Sequence, residues 1–364
     1  MMERKLQVGI IGATGMVGQR LLLLLEQHPW FEVKVLAASK RSSGKTYEEA
    51  VEGRWKMDRA IPEKYLKMTL EDGEDVERIS GLVDFVFCAI SLDKAKTKAL
   101  EEAYAKTETP VISNNSANRG EADVPMLIPE INGHHVAVIE MQKKRLGTQR
   151  GFIVVKPNCS IQSYVPALSA LMAFEPEKIL ACTYQAISGS GKSFKECPEI
   201  LDNVIPHIPG EEEKSEGEPL KIWGDVVEGQ IVPQKAPLIT TQCIRVPVSD
   251  GHLAAVFVSF KKKPSKEAFL EAIRNYQVNP IAKTLPSAPT HFLRYMEEEN
   301  RPQTKLDRNY ENGMGISLGR LREDTLFDYK FVCLSHNTLR GAAGGGVLSA
   351  EYLLATGYLS PKIR

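Results

Sequence analysis

The chain has 364 residues, 43% of them hydrophobic and 25% charged, which predicts two soluble domains rather than one. Lysine plus arginine and aspartate plus glutamate each number 46, and this balance argues against nucleic acid or a membrane surface as a partner. Six cysteines without a CxxC pair, and no apolar run of about 18 residues, argue against a disulfide framework, a metal site and a membrane span, and favour a cytoplasmic setting.

The first part of the chain alternates short apolar strands with helices. The expected strands are residues 6–11, 32–38, 82–90 and 110–113, and the expected helices are residues 16–27 and 92–105. This alternation is typical of an α/β protein with a doubly wound parallel sheet.

The pattern changes near residue 151. Strands are expected at residues 151–155, 179–187, 242–248 and 253–260, a helix at 161–173, and an exposed loop or helix start at 210–221. Asp250-Gly251 predicts a hairpin between the last two strands. We therefore expect an α+β domain with a mixed, largely antiparallel sheet over residues 158–336.

A glycine turn lies between the first strand and the first helix. Gly12, Gly15 and Gly18 form a GxxGxxG pattern, a variant of the dinucleotide-binding fingerprint, in which backbone N–H groups approach a pyrophosphate at the helix N-terminus. We expect a Rossmann-type domain over residues 1–157, completed by a C-terminal helix at about 337–364. The predicted cofactor contacts of the turn are Gly12, Thr14, Gly15, Met16 and Val17. The alternative is a glycine turn without a ligand.

The end of the second strand indicates which dinucleotide binds. NAD sites usually place an acidic residue there for the ribose 2′-hydroxyl. Here Ser39, Lys40, Arg41 and Ser42 follow without an acid, a set that suits a 2′-phosphate. NADP is therefore predicted, the alternative being a solvated basic loop.

A second glycine-rich stretch, residues 186–193, resembles a P-loop with Ala186 in place of the first glycine. A P-loop must open a helix, and Pro198 follows too soon for one. We interpret the stretch as a loop at the nicotinamide end of the cofactor, with contacts from Ser188, Gly189 and Gly191. A P-loop nucleotidase is the alternative of a different class.

Cys159 is the candidate nucleophile. It follows Pro157-Asn158 and precedes the helix expected at 161–173, whose dipole would favour a thiolate. The other cysteines are expected to be small buried hydrophobes. They are Cys88, Cys182, Cys197, Cys243 and Cys333.

His252 is the candidate partner of that cysteine. In the expected hairpin, Arg245 and His252 share one face, with Cα atoms roughly 13 Å apart, and could converge on a small substrate. The alternative is a turn histidine beside a solvent-facing arginine. His336 could be structural, and the remaining histidines are expected at the surface: His28, His134, His135, His207 and His291.

Taken together, these motifs resemble the aspartate-β-semialdehyde dehydrogenases, in the branch common in archaea and fungi. The matching stretches extend over nearly the whole chain: residues 12–18, 113–119, 124–125, 129–132, 157–160 and 184–189, Arg245 with His252, and residues 337–338 and 340–344.

The resemblance implies a role for each matching residue. Cys159 would form an acyl-thioester, His252 would act as acid and base, and Gln185 would orient the substrate. Arg245 would bind the substrate carboxylate. The remaining substrate and phosphate contacts would be Glu218, Lys221, Arg119 and Asn158, and further cofactor contacts Ser91 and Asn337. Pro219 is atypical within the Glu-x-x-Lys pair of Glu218 and Lys221.

The implied activity is NADP-dependent and phosphorylating. It would interconvert aspartyl 4-phosphate and aspartate 4-semialdehyde, with inorganic phosphate as acyl acceptor. This reaction would lie on the routes to threonine, to methionine and, through diaminopimelate, to lysine. The family also implies a homodimer or homotetramer built through the second domain. A malonyl-CoA reductase is the nearest alternative, but such reductases depart from the Asn158-Cys159 pair. Glyceraldehyde- and glutamyl-phosphate enzymes differ in their motifs around the cysteine.

Overall fold

The structure is a computed structural model that describes residues 4–362. Its strands are β1 (Leu6–Ile11), β2 (Phe31–Ala38), β3 (Glu71–Asp72), β4 (Phe85–Cys88), β5 (Val111–Ser113), β6 (Ile153–Val155), β7 (Pro176–Gln185), β8 (Asp225–Val227), β9 (Gln230–Val232), β10 (Leu238–Arg245), β11 (His252–Phe260), β12 (Leu293–Met296), β13 (Ile316–Glu323) and β14 (Tyr329–Ser335). Its α-helices are α1 (Met16–Leu25), α2 (Tyr47–Val51), α3 (Glu63–Leu66), α4 (Val76–Leu82), α5 (Lys94–Lys106), α6 (Pro129–Asn132), α7 (Ile139–Leu146), α8 (Val165–Ser169), α9 (Glu211–Ile222), α10 (Lys266–Arg274), α11 (Pro280–Lys283), α12 (Thr304–Asp307) and α13 (Gly344–Ala355).

The first sheet is entirely parallel, with strand order β3-β2-β1-β4-β5-β6. Its central strands are continuous apolar runs because helices cover both faces, and β4 is buried along its whole length. The order matches that of doubly wound dinucleotide-binding folds. The prediction of a Rossmann-type domain is therefore confirmed.

The C-terminal helix returns to this first sheet. A π-helical turn at Leu339–Ala343 leads into α13. Val347 and Leu353 of α13 belong to the same core cluster as Val8 of β1. A Cβ on Gly345 would lie 3.1 Å from Cε of Lys156 and one on Gly346 3.5 Å from Nδ2 of Asn114, so these glycines let α13 approach the segments that follow β6 and β5.

The second sheet is mixed, with strand order β10-β7-β11-β14-β13-β12. The three central pairings are antiparallel, whereas β10 pairs with β7 and β12 with β13 in parallel. Its inner face packs on α8 and α10 through a core that includes Leu168, Val256, Phe269 and Phe331. The expected mixed, largely antiparallel sheet is confirmed.

The predicted hairpin at Asp250-Gly251 is wrong. Strand β7 lies between β10 and β11, so these two strands do not pair with each other. The connection between them runs beside the end of β7, where the main-chain N–H of Ile187 donates to the carbonyl of Val248 at 2.8 Å. A local turn signal has thus been overridden by the pairing of both strands with β7.

The acidic stretch at 210–221, expected as an exposed loop or a helix start, forms the 12-residue helix α9. Its inner face buries Glu211, Ser215 and Glu218 against the turn that contains Cys159. A helix in this position brings two carboxylates to the centre of the molecule.

Two of the histidines expected at the surface are buried. Nε2 of His28 is 2.7 Å from a carboxylate oxygen of Glu351, and Nε2 of His135 is 2.8 Å from the carbonyl of Gly224. Both rings have a hydrogen-bond partner in the core, which permits the burial of polar side chains. Within residues 4–362, no helix is long and apolar enough to cross a bilayer.

Candidate active site

Cys159 lies in the turn that follows β6, at the carboxyl edge of the first sheet. Its Sγ is 3.4 Å from Nε2 of His252, which begins β11 in the second sheet. The predicted nucleophile and the predicted acid/base group are therefore in contact, although they come from different sheets.

The helix expected directly after Cys159 is broken into short pieces. A 3-10 turn at Ile161–Ser163 precedes the five-residue helix α8. Pro166 lies in the first turn of α8, where proline is favoured, and its missing N–H weakens any helix that would run through it from Ile161. The prediction that the dipole of a following helix favours the thiolate of Cys159 is therefore wrong. Burial, reinforced by the charge of Glu211, raises the pKa of the Cys159 thiol to about 11, and the cations of Lys156, Arg119 and Arg245 oppose this shift.

His252 is fully buried, and its two ring nitrogens have different neighbours. Its Nδ1 accepts a hydrogen bond from the main-chain N–H of Ala186 at 3.1 Å, which favours the neutral tautomer with its proton on Nε2, the nitrogen that faces Sγ of Cys159. Burial, with the charges of Arg245 and His336, holds the pKa of His252 well below its usual value. His252 is thus a neutral hydrogen-bond donor to the sulfur.

Arg245, Gln185 and His252 form a row across three neighbouring strands. Arg245 of β10 pairs with Gln185 of β7, and the register of β7 with β11 places His252 beside Gln185. Because neighbouring strands are about 5 Å apart, the Cα atoms of Arg245 and His252 lie about 10 Å apart across the sheet. This is closer than the roughly 13 Å expected from a hairpin. Gln185 is buried and donates through Nε2 to Oγ1 of Thr183 at 3.2 Å.

Gly189 fills the space between Arg245 and His252. A Cβ at this position would lie 2.8 Å from Nη1 of Arg245 and 3.0 Å from Nε2 of His252. Nη1 of Arg245 also donates to the carbonyl of Ala186 at 2.7 Å, which fixes the guanidinium. Only glycine leaves room for both side chains and for an incoming ligand.

Two carboxylates of α9 hold the residue that precedes the cysteine. Glu218 accepts a hydrogen bond from the main-chain N–H of Asn158 at 2.6 Å, and Glu211 accepts one from Nδ2 of Asn158 at 2.7 Å. Oδ1 of Asn158 in turn accepts from the main-chain N–H of Ser160 at 2.7 Å. The turn on both sides of Cys159 is therefore fixed by charge-assisted hydrogen bonds.

The guanidinium of Arg119, beside Glu218, has one hydrogen-bond donor that no group among residues 4–362 accepts. Its Nη1 donates to Glu218 at 2.8 Å and its Nη2 to the carbonyl of Asn114 at 3.3 Å. Its Nε is buried and has no hydrogen-bond partner among residues 4–362. An anionic ligand would satisfy this donor, as expected for the predicted phosphate contact.

Lys221 is placed differently from the prediction. Its ammonium donates to three main-chain carbonyls, those of Arg119 at 2.7 Å, Glu121 at 2.6 Å and Val124 at 2.9 Å. All three of its donors are therefore used, and a direct phosphate contact would require breaking one of these bonds. In this structure Lys221 fixes the segment that carries Arg119.

A cavity of about 190 Å³ connects the predicted cofactor-binding residues with Cys159. It contains Cys159 and residues predicted to bind cofactor, substrate or phosphate. Its lining residues are Met16, Val17, Asn114, Arg119, Asn158, Cys159, Ser188, Gly189, Gly191, Asn337, Thr338, Gly341 and Ala342. Among residues 4–362, no group of three or more His, Cys, Asp or Glu side chains is arranged to hold a metal ion.

The glycine turn has the geometry that a dinucleotide needs. Gly12 has φ +93°, and a Cβ there would lie 2.5 Å from the carbonyl oxygen of Ala89. Gly15 begins α1 without a side-chain cap, which leaves the first-turn N–H groups open to a pyrophosphate. Thr14 completes the turn between these glycines.

The residues predicted for the 2′-phosphate lie at the end of β2. The main-chain N–H of Ser42 donates to the carbonyl of Ser39 at 2.8 Å, which forms a tight turn with Arg41 exposed at its tip. Ser91 is exposed beyond the end of β4. These residues lie outside the cavity around Cys159, and their contacts with a cofactor remain predictions.

The P-loop alternative is wrong. Ile187–Ser190 is a 3-10 turn, Gly191 has φ +72°, and no helix opens at Lys192 and Ser193. Asn337 holds this loop, since its Nδ2 donates to Oγ of Ser188 at 2.8 Å while its Oδ1 accepts from the main-chain N–H of Gly251 at 2.8 Å.

Sequence reasoning missed three residues of the site. Asn114 lines the cavity, and both polar atoms of its amide are buried without a partner among residues 4–362. Its position just beyond β5, at the carboxyl edge of a parallel sheet, was the available signal. Gly341 packs on Cys159, and Lys156 is buried behind it. The glycine-rich C-terminal run indicates close packing at Gly341, whereas no sequence signal pointed to the burial of Lys156.

Two family models match the chain. Residues 7–139 match the model described as semialdehyde dehydrogenase, NAD binding domain, and residues 168–340 match semialdehyde dehydrogenase, dimerisation domain. Among relatives named aspartate-semialdehyde dehydrogenase, that of Archaeoglobus fulgidus is 41% identical, covering 95% of this chain and 97% of its own length. That of Saccharomyces cerevisiae is 40% identical, covering 97% and 99%.

A solved structure shows the same architecture. The chain is similar to aspartate semialdehyde dehydrogenase with NADP from Candida albicans, at 36% identity and TM-score 0.86, covering 98% of this chain and 100% of the other. These matches extend over both sheets and the site between them. The chain therefore belongs to the aspartate-semialdehyde dehydrogenase family.

Proposed function

We propose that the chain is an NADP-dependent, phosphorylating aspartate-semialdehyde dehydrogenase. It interconverts aspartyl 4-phosphate and aspartate 4-semialdehyde through a thioester on Cys159. The observation that carries this proposal is the 3.4 Å contact between Sγ of Cys159 and Nε2 of His252, at a cavity that the first turn of α1 also lines. The names of the relatives and the NADP of the Candida albicans structure support it.

NADP would be held by the glycine turn, the turn after β2 and the loop of Ser188 to Gly191. When bound, it supplies the two-electron donor or acceptor of the reaction. The unpartnered amide of Asn114 and the uncapped start of α1 fit such a ligand, because both offer hydrogen-bonding groups that are otherwise unused. The acid-free turn at Ser39 to Ser42 favours a 2′-phosphate.

In the biosynthetic direction, Sγ of Cys159 attacks the acyl carbon of aspartyl phosphate. A C–S bond forms, the C–O bond to phosphate breaks, and inorganic phosphate leaves. The N–H of His252 faces the reacting centre, where it can stabilise negative charge on the acyl oxygen and, when the C–S bond later breaks to release the aldehyde, donate its proton to the departing sulfur. Arg245 would bind the carboxylate, with Gln185 beside it, and Arg119 the phosphate.

One spectrophotometric panel tests the proposal. We expect NADP reduction with aspartate semialdehyde only when phosphate is present, and no NADPH oxidation with malonyl-CoA. The Cys159→Ser variant should lose turnover, because an alcohol at this position lacks the nucleophilicity of the thiolate. Activity with malonyl-CoA alone, or near-normal turnover in Cys159→Ser, would contradict the proposal.

We further propose a homodimer or homotetramer built through the second sheet, and a cytoplasmic setting. The dimerisation-domain match of residues 168–340 and the six free cysteines support these two points respectively. We also propose a cofactor domain of residues 1–157 with 337–364 and a catalytic domain of residues 158–336, and the ends of the two sheets at 155 and 335 support this division. Residues 1–3 and 363–364 lie outside the described part.

A further inference from the structure

The cavity around Cys159 has walls from both domains. Met16 and Val17 of α1 line it from the first domain, and three residues of the loop at 186–196, which follows β7, line it from the second. We call residues 186–196 the cleft loop. A ligand in this cavity lies between α1 and the cleft loop, so its affinity depends on how firmly the cleft loop is fixed relative to α1.

The first half of the cleft loop is fixed by its own domain. The main-chain N–H of Ile187 donates to the carbonyl of Val248 at 2.8 Å, and that of Ser188 to the carbonyl of Ser249 at 3.3 Å. The N–H of Gly189 donates to the carbonyl of Ala186 at 3.0 Å within the turn itself. Gly189 therefore keeps its place between Arg245 and His252 through contacts within the second domain.

The second half of the cleft loop is fixed by Lys56 of the first domain. Nζ of Lys56 donates to the carbonyl of Gly191 at 2.6 Å and lies 2.8 Å from Oε2 of Glu196. The same carboxylate oxygen accepts hydrogen bonds from the main-chain N–H and the hydroxyl of Ser193, at 2.8 and 2.9 Å. Within the described residues, no other hydrogen bond or ion pair joins residues 190–196 to residues 4–157.

The environment of Lys56 makes this contact more than a surface ion pair. Exposed ion pairs contribute little because water screens them. The Glu196 side chain is 43% exposed, but that of Lys56 is only 17% exposed and has a main-chain carbonyl as a second acceptor. The ammonium therefore holds both ends of the Gly191 to Glu196 segment.

The buried side chain of Gln19 connects Lys56 to the glycine turn. Its Nε2 donates to the carbonyls of Thr14 and Arg54, each at 3.0 Å, and its Oε1 accepts from the main-chain N–H of Lys56 at 2.8 Å. Both N–H groups of the amide are thus used. The main chain at Lys56 is therefore fixed relative to the turn that is predicted to bind the pyrophosphate.

We propose that Lys56 is a positioning residue for the cofactor. Together with Gln19 it ties the cleft loop to the glycine turn, so that both walls of the NADP cleft are formed before the cofactor arrives. Without this tie, the second half of the cleft loop would leave the cleft for part of the time, and the apparent affinity would fall by the fraction of binding-competent protein. The inference rests on the proposed function, since NADP is the ligand of this cleft.

A positive charge near the cleft could also attract an anionic dinucleotide without any contact. Lys195 separates the two effects. It lines the same cavity of about 410 Å³ as Lys56, it is exposed, and its ammonium makes no hydrogen bond or ion pair within residues 4–362. Removing Lys195 therefore removes a charge but no tie between the domains.

The test is a fluorescence titration of the full chain with NADPH. Lys56→Met keeps the length of the side chain but has no donor, and its Kd for NADPH should rise about tenfold, with a matching rise in the dissociation rate by stopped flow. Lys56→Arg can donate to both acceptors and should stay within about twofold of the wild type. Lys195→Met is the matched control and should also stay within about twofold.

Two further measurements distinguish a tie from general damage. The KM for aspartate semialdehyde should be unchanged in Lys56→Met, because Arg245 and His252 are positioned through the first half of the cleft loop. In a Glu196→Gln background, Lys56→Met should weaken NADPH binding less than it does in the wild type, because one of its two acceptors is already altered.

An unchanged Kd for NADPH in Lys56→Met, or an equal rise in Lys195→Met, would overturn the proposal. If Lys56→Met fails to fold, Glu196→Gln on the exposed side of the contact decides, and an unchanged Kd there would overturn it as well. A wild-type chain that binds no NADPH would contradict the proposed function too. A wild type that binds NADPH no better than Lys56→Met contradicts only the role of Lys56.

Discussion

At the residue scale, Gly189 controls the geometry of the site. In Gly189→Ala the new methyl would lie 2.8 Å from Nη1 of Arg245 and 3.0 Å from the ring of His252, so both side chains must move. Because catalysis depends on the exact positions of these side chains, we expect kcat/KM to fall about a hundredfold, whereas the free energy of unfolding should change little. Gly81→Ala, where a Cβ meets no atom within 4 Å, is the control. Equal activities for the two variants would contradict this.

Arg245 offers a test of substrate recognition. A guanidinium binds a carboxylate through two parallel hydrogen bonds, and a lysine ammonium cannot reproduce this fork. In Arg245→Lys we expect the KM for aspartate semialdehyde to rise by about tenfold or more, with the KM for NADP unchanged. A parallel rise in both constants would indicate general damage to the cleft instead of a lost carboxylate contact.

At the element scale, α9 contains a proline in its interior. Pro219 has no N–H for the carbonyl of Ser215, and the hydroxyl of Tyr164 donates to that carbonyl instead, at 2.9 Å. The buried Tyr164 thus replaces the missing helical bond. The helix can therefore present Glu211 and Glu218 to the nucleophile turn despite the proline.

This substitution of donors can be measured by a double-mutant cycle. Tyr164→Phe leaves the buried carbonyl of Ser215 without its donor and should lower the free energy of unfolding by about 1–2 kcal/mol. Pro219→Ala restores a main-chain N–H, so Tyr164→Phe should cost much less in that background. Urea unfolding of the four proteins gives the coupling energy. Additive effects would exclude the compensation.

The elements differ in how well the sequence predicts them. The strands β1, β2, β4 and β5 and the helices α1 and α5 of the first domain follow from local apolar patterns, since each βα unit is formed by residues close in sequence. Strand β7 separates β10 from β11, a pairing that no local turn signal encodes. Pro166, by contrast, was a local signal against a continuous helix after Cys159, because its missing N–H weakens a helix that runs through it.

At the scale of the whole molecule, the site depends on contacts between distant segments. The motifs and the family resemblance predict Cys159, His252 and Arg245 as site residues, and the structure places Cys159 beside His252 and Arg245 in the same row of strands. The contacts that tune them are non-local, such as the hydrogen bonds of Asn158 to Glu211 and Glu218 of α9. Gly345 of α13 likewise leaves the space for the buried side chain of Lys156. Such contacts depend on tertiary packing and leave no periodic pattern.

The outer face of the second sheet remains partly exposed and is largely apolar. Side chains of β7 and β11 alternate between the buried inner face and this outer face, which carries Leu180, Tyr184, Leu253 and Phe257. Tyr184 is 36% exposed, although a tyrosine in a central strand is normally covered. Because residues 168–340 match a dimerisation domain, we expect a second copy of the chain to cover this face.

Ala255 lies at the centre of that outer face, opposite Cys182 on β7 and Val332 on β14. A lysine there removes no packing within the subunit, but a two-fold interface would bring two buried ammonium groups together. We expect Ala255→Lys to raise the dimer dissociation constant by about a hundredfold or more, as measured by sedimentation velocity. Ile281→Lys, on the exposed part of α11, should leave it unchanged. A dimer unaffected by Ala255→Lys would place the interface on another surface.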